Sequence, residues 1–170
     1  MQLKIRAAQD KDLKMLDAFV DEHRYAKSQD YFIHQYESQA EGDRVIFVVF
    51  VGEALRAYCI LNWQPKYAFF KSMGYPEIQD LNVHKDFRGQ GIASALIQHC
   101  ENFVLEKGLE HMGIGVGLSA SYGSAQKLYI KLGYVPDGHG VTYDRKTLTH
   151  GEFRPVDDDL CLMMVKDLQT

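Results

Sequence analysis

Residues 88–93 read Arg88-Gly89-Gln90-Gly91-Ile92-Ala93, and what flanks them decides the fold. Before them, residues 77–84 place Ile78, Leu81 and Val83 in an expected strand. After them, Ile92, Ala95, Leu96, Cys100, Phe103 and Val104 recur at helical spacing, which predicts a helix over 88–107. Helix starts leave unpaired N–H groups and carry the positive end of the dipole, so glycines there let main chain approach an anion without obstruction. A diphosphate would fit that place. Taken alone, the hexapeptide also reads as a turn that merely joins strand to helix.

Working outward, residues 2–7 alternate around Leu3 and Ile5 as a first strand, and Asp10 stands where it could cap a helix carrying Leu13, Leu16, Phe19 and Val20. Residues 28–39 predict a second short helix. Residues 45–51 are β-branched and aromatic, Gly52 and Glu53 offer a tight turn, and residues 55–61 follow as another apolar strand, together a hairpin of buried strands. Residues 65–76 hold Tyr67, Phe69, Phe70 and Tyr75 between two prolines and read as an irregular loop. Met112, Ile114, Val116 and Leu118 alternate with Gly113, Gly115 and Gly117, giving a strand with one bare face that something must approach closely. Ser121 could cap a further helix with Ala125, Leu128, Tyr129 and Leu132, ended by Gly133. A last strand is expected over 160–165, after a long connection spanning 137–158.

The hexapeptide resembles the acyl-CoA signature Q/R-x-x-G-x-G/A of the GNAT acetyltransferases, with Arg88, Gly91 and Ala93 at its fixed positions. A second stretch, residues 124–134, is similar to the later motif A-x-x-L-Y-x-x-x-G-F/Y of that family, through Ala125, Leu128, Tyr129, Gly133 and Tyr134. The order of elements from residue 3 to about residue 165 also resembles the family, so the likeness covers nearly the whole chain. It implies an α/β fold of one domain, residues 1–170, with a mixed, mostly antiparallel sheet of six to seven strands and helices on both faces. A bulge would splay a central strand pair near Leu81, Asn82 and Val83, whose main chain would pair with pantetheine. The diphosphate would lie on Arg88, Gly89, Gln90, Gly91, Ile92, Ala93 and Ser94. Tyr129 would protonate the departing thiolate of coenzyme A. Where the family often has Asn three residues before the Ala of the second motif, this chain has Tyr122, which puts that pantetheine contact in doubt.

The reaction so implied moves the acetyl group of acetyl-CoA, as cosubstrate, onto a primary amine. An amine with a pKa of ~10.4 must lose a proton at a cost of about 4.6 kcal/mol at pH 7, so a base is expected. Glu77 and Asp80, on the strand leading into the glycine loop, are candidates, since burial can raise a carboxylate's pKa toward the working range. Each also reads as a solvated charge at a strand end. An α-amine, with a pKa of ~7.7 to 8.0, would need little such help. Trp63, Tyr67 and Phe70, with Tyr31, could wall the acceptor's pocket, or simply pack on the core.

Composition narrows the field. With 170 residues, 46% apolar and 25% charged, the chain has the size and make-up of one packed domain. A net charge of −4 with scattered Lys and Arg lacks the basic footprint of a nucleic-acid binder, and no apolar run spans a bilayer, so neither nucleic acid nor membrane is an expected partner. Cys59, Cys100 and Cys161, odd in number and set among apolar neighbours, fit reduced core residues and a cytoplasmic location. His84, His139 and His150 lack metal-site spacing, so no metal is expected. Gly115-Val116-Gly117-Leu118-Ser119-Ala120 fits the dinucleotide pattern G-x-G-x-x-A, but too little chain follows it for a series of β-α-β units. The remaining rival is a non-catalytic acyl-CoA-binding sensor module. The acceptor, whether a small molecule or a peptide or protein amine, the acyl length and a homodimer all stay open at this level.

Overall fold

A computed structural model of the chain describes residues 1–169, whose residues gather into two units: Met1–Asn62 with Gln79–Cys100, and Trp63–Ile78 with the chain from Glu101 onward.

In the first unit the β-branched, aromatic run becomes β2 (Arg44–Val51), which pairs antiparallel with β1 (Lys4–Ala7) and with β3 (Ala54–Asn62). The hairpin turns at Gly52, φ +59°, and its register shifts between Val49 and Phe50. Ile46, Val48 and Phe50 point to one face, where they pack with Leu16, Phe19 and Val20 of α1 (Leu13–Glu22) and Phe32 of α2 (Tyr31–Ala40). Phe47, on the opposite face, stacks edge-on against His99 of α4 (Ile92–Glu106), ring centroids 4.8 Å apart. Also on this side, Cys59 Sγ of β3 lies 3.6 Å from Cys100 Sγ. Both thiols are free and fully buried. Helices thus cover both faces of these strands, which is why the hairpin reads as nearly continuous apolar sequence.

The expected cap of the first helix is corrected. Asp10 opens a short 3-10 turn, Asp10–Asp12, and the carboxylate that ties this start down is Asp12. Asp12 accepts the N–H of Gln9 at 2.7 Å and both terminal nitrogens of Arg6 on β1 at 2.6 and 2.9 Å. The bidentate partner on the neighbouring strand selects Asp12 over Asp10. α4 likewise begins at Ile92 rather than Arg88, because Gly89 and Gly91 take φ +72° and +84° and cannot continue a right-handed helix.

In the second unit the strand order is β4 (Glu77–Val83, present here through Glu77 and Ile78), β5 (His111–Gly117), β8 (Leu160–Asp167), β6 (Val135–Tyr143) and β7 (Lys146–Thr147). The β4–β5 register is parallel and two pairs long, Glu77↔Gly113 and Ile78↔Ile114; the others are antiparallel. The fold is therefore mixed and mostly antiparallel, with eight strands among the described residues where six to seven were expected; the two-residue β7 is too short to leave a sequence signal.

The bare face of β5 is filled from within. The ring of Phe70 lies against Gly113 and that of Tyr122 against Gly117, each closer than any side-chain methyl at those positions would allow. Phe70 belongs to α3 (Ala68–Met73), so residues 65–76 are not the irregular loop expected. Gly74 at φ +69° closes this helix in the usual glycine manner, a stop signal that the surrounding aromatics obscured. α5 (Gly123–Lys131) follows a 3-10 turn, Ala120–Tyr122; Ser121 does not cap it, its hydroxyl pairing with that of Ser119 at 2.6 Å. The connection over 137–158 is shorter than expected, since its first part completes β6 and the β6–β7 hairpin, and irregular chain remains from 148 to 159. Among the described residues no helix is long and apolar enough to cross a membrane.

The Asp12 contact sets an acid limit. Hydrogen bonds from Arg6, against the opposing effect of burial, hold the Asp12 carboxyl below its ordinary range. The stability it contributes is present above the unfolded value of ~3.9 and is lost as pH falls through the lower folded value. Asp12→Ala should cost about 1–2 kcal/mol at pH 7 in urea unfolding, and the difference from the unsubstituted chain should shrink below pH ~3.

Candidate functional site

Within the first unit, β4 departs from ordinary strand geometry at Asp80, whose φ of +51° lies in the left-handed region. The turn of the backbone aims its carboxylate into a set of four donors. Oδ1 accepts from Lys27 Nζ at 2.7 Å and from Asn82 Nδ2 at 2.8 Å; Oδ2 accepts from Tyr31 OH at 3.0 Å and from Tyr58 OH at 3.1 Å. Lys27 also lies over the Tyr31 ring, 4.7 Å from its centroid. Burial, then the Asp80 charge, push the Tyr31 and Tyr58 hydroxyls well above the ordinary tyrosine range, so both stay protonated as donors. The result is a fixed anion with one cation and three neutral donors.

Past β4 the chain reaches the glycine loop through a short 3-10 turn, Lys85–Phe87, capped by His84. Arg88 turns its side chain back, Nε donating to Val83 O at 3.1 Å and Nη2 to Tyr25 OH at 2.8 Å. Gln90 donates to Asp86 O at 3.1 Å. These anchors leave the main chain of Gly89 and Gly91 exposed, with no atom within 4 Å of where a side-chain methyl would stand on either. The buried Ile92 then fixes the start of the 15-residue α4. Open backbone at the positive end of a long helix suits a diphosphate on electrostatic and steric grounds. Leu81 and Val83 are half-buried, while the Asn82 side chain is committed to Asp80 and to Tyr58 OH at 3.0 Å. Ala93 and Ser94 lie half-buried in the first turn of α4.

The second unit holds the other expected residues. Tyr129 on α5 is buried, its ring tilted toward Tyr134 at 6.3 Å between centroids. Tyr122, where an Asn was noted as missing, donates its hydroxyl to Asp158 at 2.7 Å. Glu77 is 0% exposed and paired with Arg145 Nη2 at 2.8 Å, so it is neither a solvated strand end nor unengaged. Arg145 occupies a two-residue hairpin turn with Asp144, both at positive φ, and Asp144 is held by Lys66 Nζ at 2.8 Å.

Of the four aromatics expected around an acceptor, Tyr31 belongs to the first unit and Trp63, Tyr67 and Phe70 to the second. Tyr31 stands at Asp80, whereas Trp63 tilts against Phe103, 6.1 Å between centroids. Phe70 is fully buried over Gly113 and is core, for the steric reason given above. Tyr67 caps the cluster edge-on to Phe70 at 4.9 Å and gives its hydroxyl to Asp137 at 2.7 Å. With Phe69, His139 and Lys66 it lines an open recess of about 410 Å³. Sequence reasoning missed Lys27, Tyr58 and Arg145. Only Tyr58 carried a signal, as a hydroxyl in a mostly apolar strand.

Residues 13–134 match the family described as the acetyltransferase (GNAT) family. Solved structures of similar fold include an N-acetyltransferase from Staphylococcus aureus Mu50, 20% identical, TM-score 0.73, with 99% of each chain covered. Another is the ribosomal-protein-S18-alanine N-acetyltransferase of Escherichia coli, 17% identical, TM-score 0.71, covering 98% of this chain and 94% of that one. A third is the PaiA N-acetyltransferase of Thermoplasma acidophilum in complex with coenzyme A, 16% identical, TM-score 0.68, covering 98% and 99%. At such identities the likeness is one of fold. No curated protein sequence matches the chain.

Replacing Glu77 by Gln would leave the Arg145 guanidinium without its counter-charge while keeping shape. Equilibrium unfolding should show a loss of up to about 3 kcal/mol, far above the effect of removing the exposed Lys66–Asp144 pair with Lys66→Ala.

Proposed function

The chain belongs to the acetyltransferase (GNAT) family, and on that premise we propose that residues 1–170 act as one acyltransferase domain, passing the acetyl group of acetyl-CoA to a primary amine by direct attack. The observation that carries this reading is the unobstructed glycine main chain ahead of α4. Arg88, Gly89, Gln90, Gly91, Ile92, Ala93 and Ser94 hold the diphosphate through N–H groups. The Arg88 side chain, engaged with Val83 and Tyr25, braces the loop rather than gripping the ligand. The main chain of Leu81, Asn82 and Val83 orients the pantetheine arm. Bound there, acetyl-CoA supplies an activated thioester carbonyl.

Asp80 serves as the base. Its neighbours Tyr31, Tyr58 and Asn82 fix both oxygens, and as the attacking nitrogen forms its new bond it becomes acidic enough for a carboxylate to take its proton. Glu77 is the weaker candidate, because its side chain is 0% exposed behind Arg145, whereas that of Asp80 is 13% exposed. Tyr129 delivers the proton that the sulfur needs to leave. Tyr31, beside Asp80, faces the acceptor, and Trp63 and Tyr67 extend its surroundings. The acceptor itself is a small-molecule or a peptide or protein amine.

Calorimetric titration with acetyl-CoA should give one site per chain. Gly91→Val, which forces a β-branched residue to φ +84°, should weaken it at least about tenfold. Absence of heat at millimolar ligand would refute the reading. Incubation with an amine library, read as acetylated product masses, identifies the acceptor class. On that acceptor Tyr129→Phe should lower kcat about 10²-fold with acetyl-CoA affinity nearly unchanged, and unaltered turnover removes Tyr129 from the mechanism.

A further inference from the structure

We infer that Lys27 is itself an acceptor, so that the protein acetylates its own Lys27 Nζ; the inference rests on the transferase reading given above. Lys27 belongs to the irregular segment between α1 and α2, yet its ammonium reaches across 53 residues of sequence to Asp80 at 2.7 Å. It lies over the Tyr31 ring, and its side chain is 22% exposed against 13% for Asp80. An ordinary surface pair in this chain looks different: Lys66 and Asp144 are 60% and 53% exposed. What sets Lys27 apart is its counter-ion. Asp80 is the proposed base, and the next residue, Leu81, opens the stretch proposed to orient the thioester arm. A primary amine held on the base beside that stretch occupies the position a substrate amine must reach.

The segment is built to hold it there. α1 ends with Arg24 at φ +55° and the N–H of Tyr25 on Val20 O at 2.9 Å, a left-handed stop that reverses the chain. Tyr25 then accepts from Arg88 at 2.8 Å, so this segment is fastened to the glycine loop two residues before Lys27. Asp80 does not need the ammonium to stay in place, since Tyr31, Tyr58 and Asn82 still donate to it. Neutralising Lys27 therefore leaves a carboxylate that is still solvated by three donors.

The step balances with acetyl-CoA as the other reactant. Lys27 gives one proton to Asp80, which passes it to solvent, and the freed lone pair attacks the thioester carbonyl carbon. A C–N bond forms and the C–S bond breaks, its electron pair going to sulfur. Coenzyme A leaves as the thiol with the second nitrogen proton, routed through the proposed acid. The products are an N-acetyl-lysine, coenzyme A and one proton; nothing is oxidised or reduced.

The test is a time course of the full chain with trideuteroacetyl-CoA, read by intact mass and peptide mapping. The expected result is a single added deuteroacetyl group per chain, on Lys27, forming at a rate independent of protein concentration. Asp80→Asn should slow it about 10²-fold, and Lys27→Arg, which keeps the cation, should abolish the increment with an unchanged thermal midpoint. Lys27 left unlabelled while calorimetry shows acetyl-CoA bound overturns this inference alone. Label spread over Lys66 and other exposed lysines, or a Lys27 rate unaffected by Asp80→Asn, overturns it too. Absence of both acetyl-CoA binding and amine turnover overturns it together with the reading beneath it.

Discussion

A carboxylate cannot sit 13% exposed on a strand unless donors replace the water it loses, and the first unit is organised around meeting that condition at Asp80. Its partners come from the α1–α2 segment (Lys27), α2 (Tyr31), β3 (Tyr58) and β4 itself (Asn82). Four parts of the chain are thereby tied to one atom group. The left-handed backbone at Asp80, which costs on the order of 1–3 kcal/mol for a residue with a side chain, persists because those bonds over-determine it. Strain held this way at one residue of a strand, next to the glycine loop, is the pattern of a site prepared in advance rather than one assembled by a ligand.

The second unit solves a comparable problem with steric rather than polar means. Glycines along β5 leave a trough, and Phe70 and Tyr122 fill it at its two ends. Between them, near Gly115, lie the Arg145 guanidinium and the Met163 sulfur. Arg145 can reach that depth only because Glu77 answers its charge inside the core. A glycine-rich strand of this kind signals close packing by the protein's own rings as readily as the approach of a ligand, and here the rings account for it.

The strands and the long helix were legible because their side chains repeat at a fixed period and are buried on known faces. β5 follows from alternation, β2 from its β-branched run, β3 and β8 from their mainly apolar content, and α4 from its apolar stripe. The glycine loop was legible too, since its place between strand and helix is itself the signal. What escaped has physical reasons. α3 is six residues long, too short for a helical period to show among so many aromatics. The helix start at Ile92 was misplaced because composition does not reveal φ, and two glycines on the left-handed side end the regular pattern early. Apart from Asn82, the partners of Asp80 come from 22 to 53 positions away, and no local pattern records such a meeting.

The tip of the β6–β7 hairpin has a bearing on the order of folding. A two-residue hairpin turn of this type has both central residues at positive φ, a demand normally met by Asn-Gly or Gly-Gly. Here Asp144 and Arg145 fill both places, so the tip has little tendency to close by itself. Its compensation is remote: Lys66 holds Asp144 across 78 residues of sequence, and Glu77 holds Arg145. Closing so long a loop is entropically slow, so this corner is among the last to condense. The nascent chain must then carry the apolar β8 strand uncovered by β6 and β7 until Glu77 and Lys66 are in place, an interval in which association between chains competes with maturation.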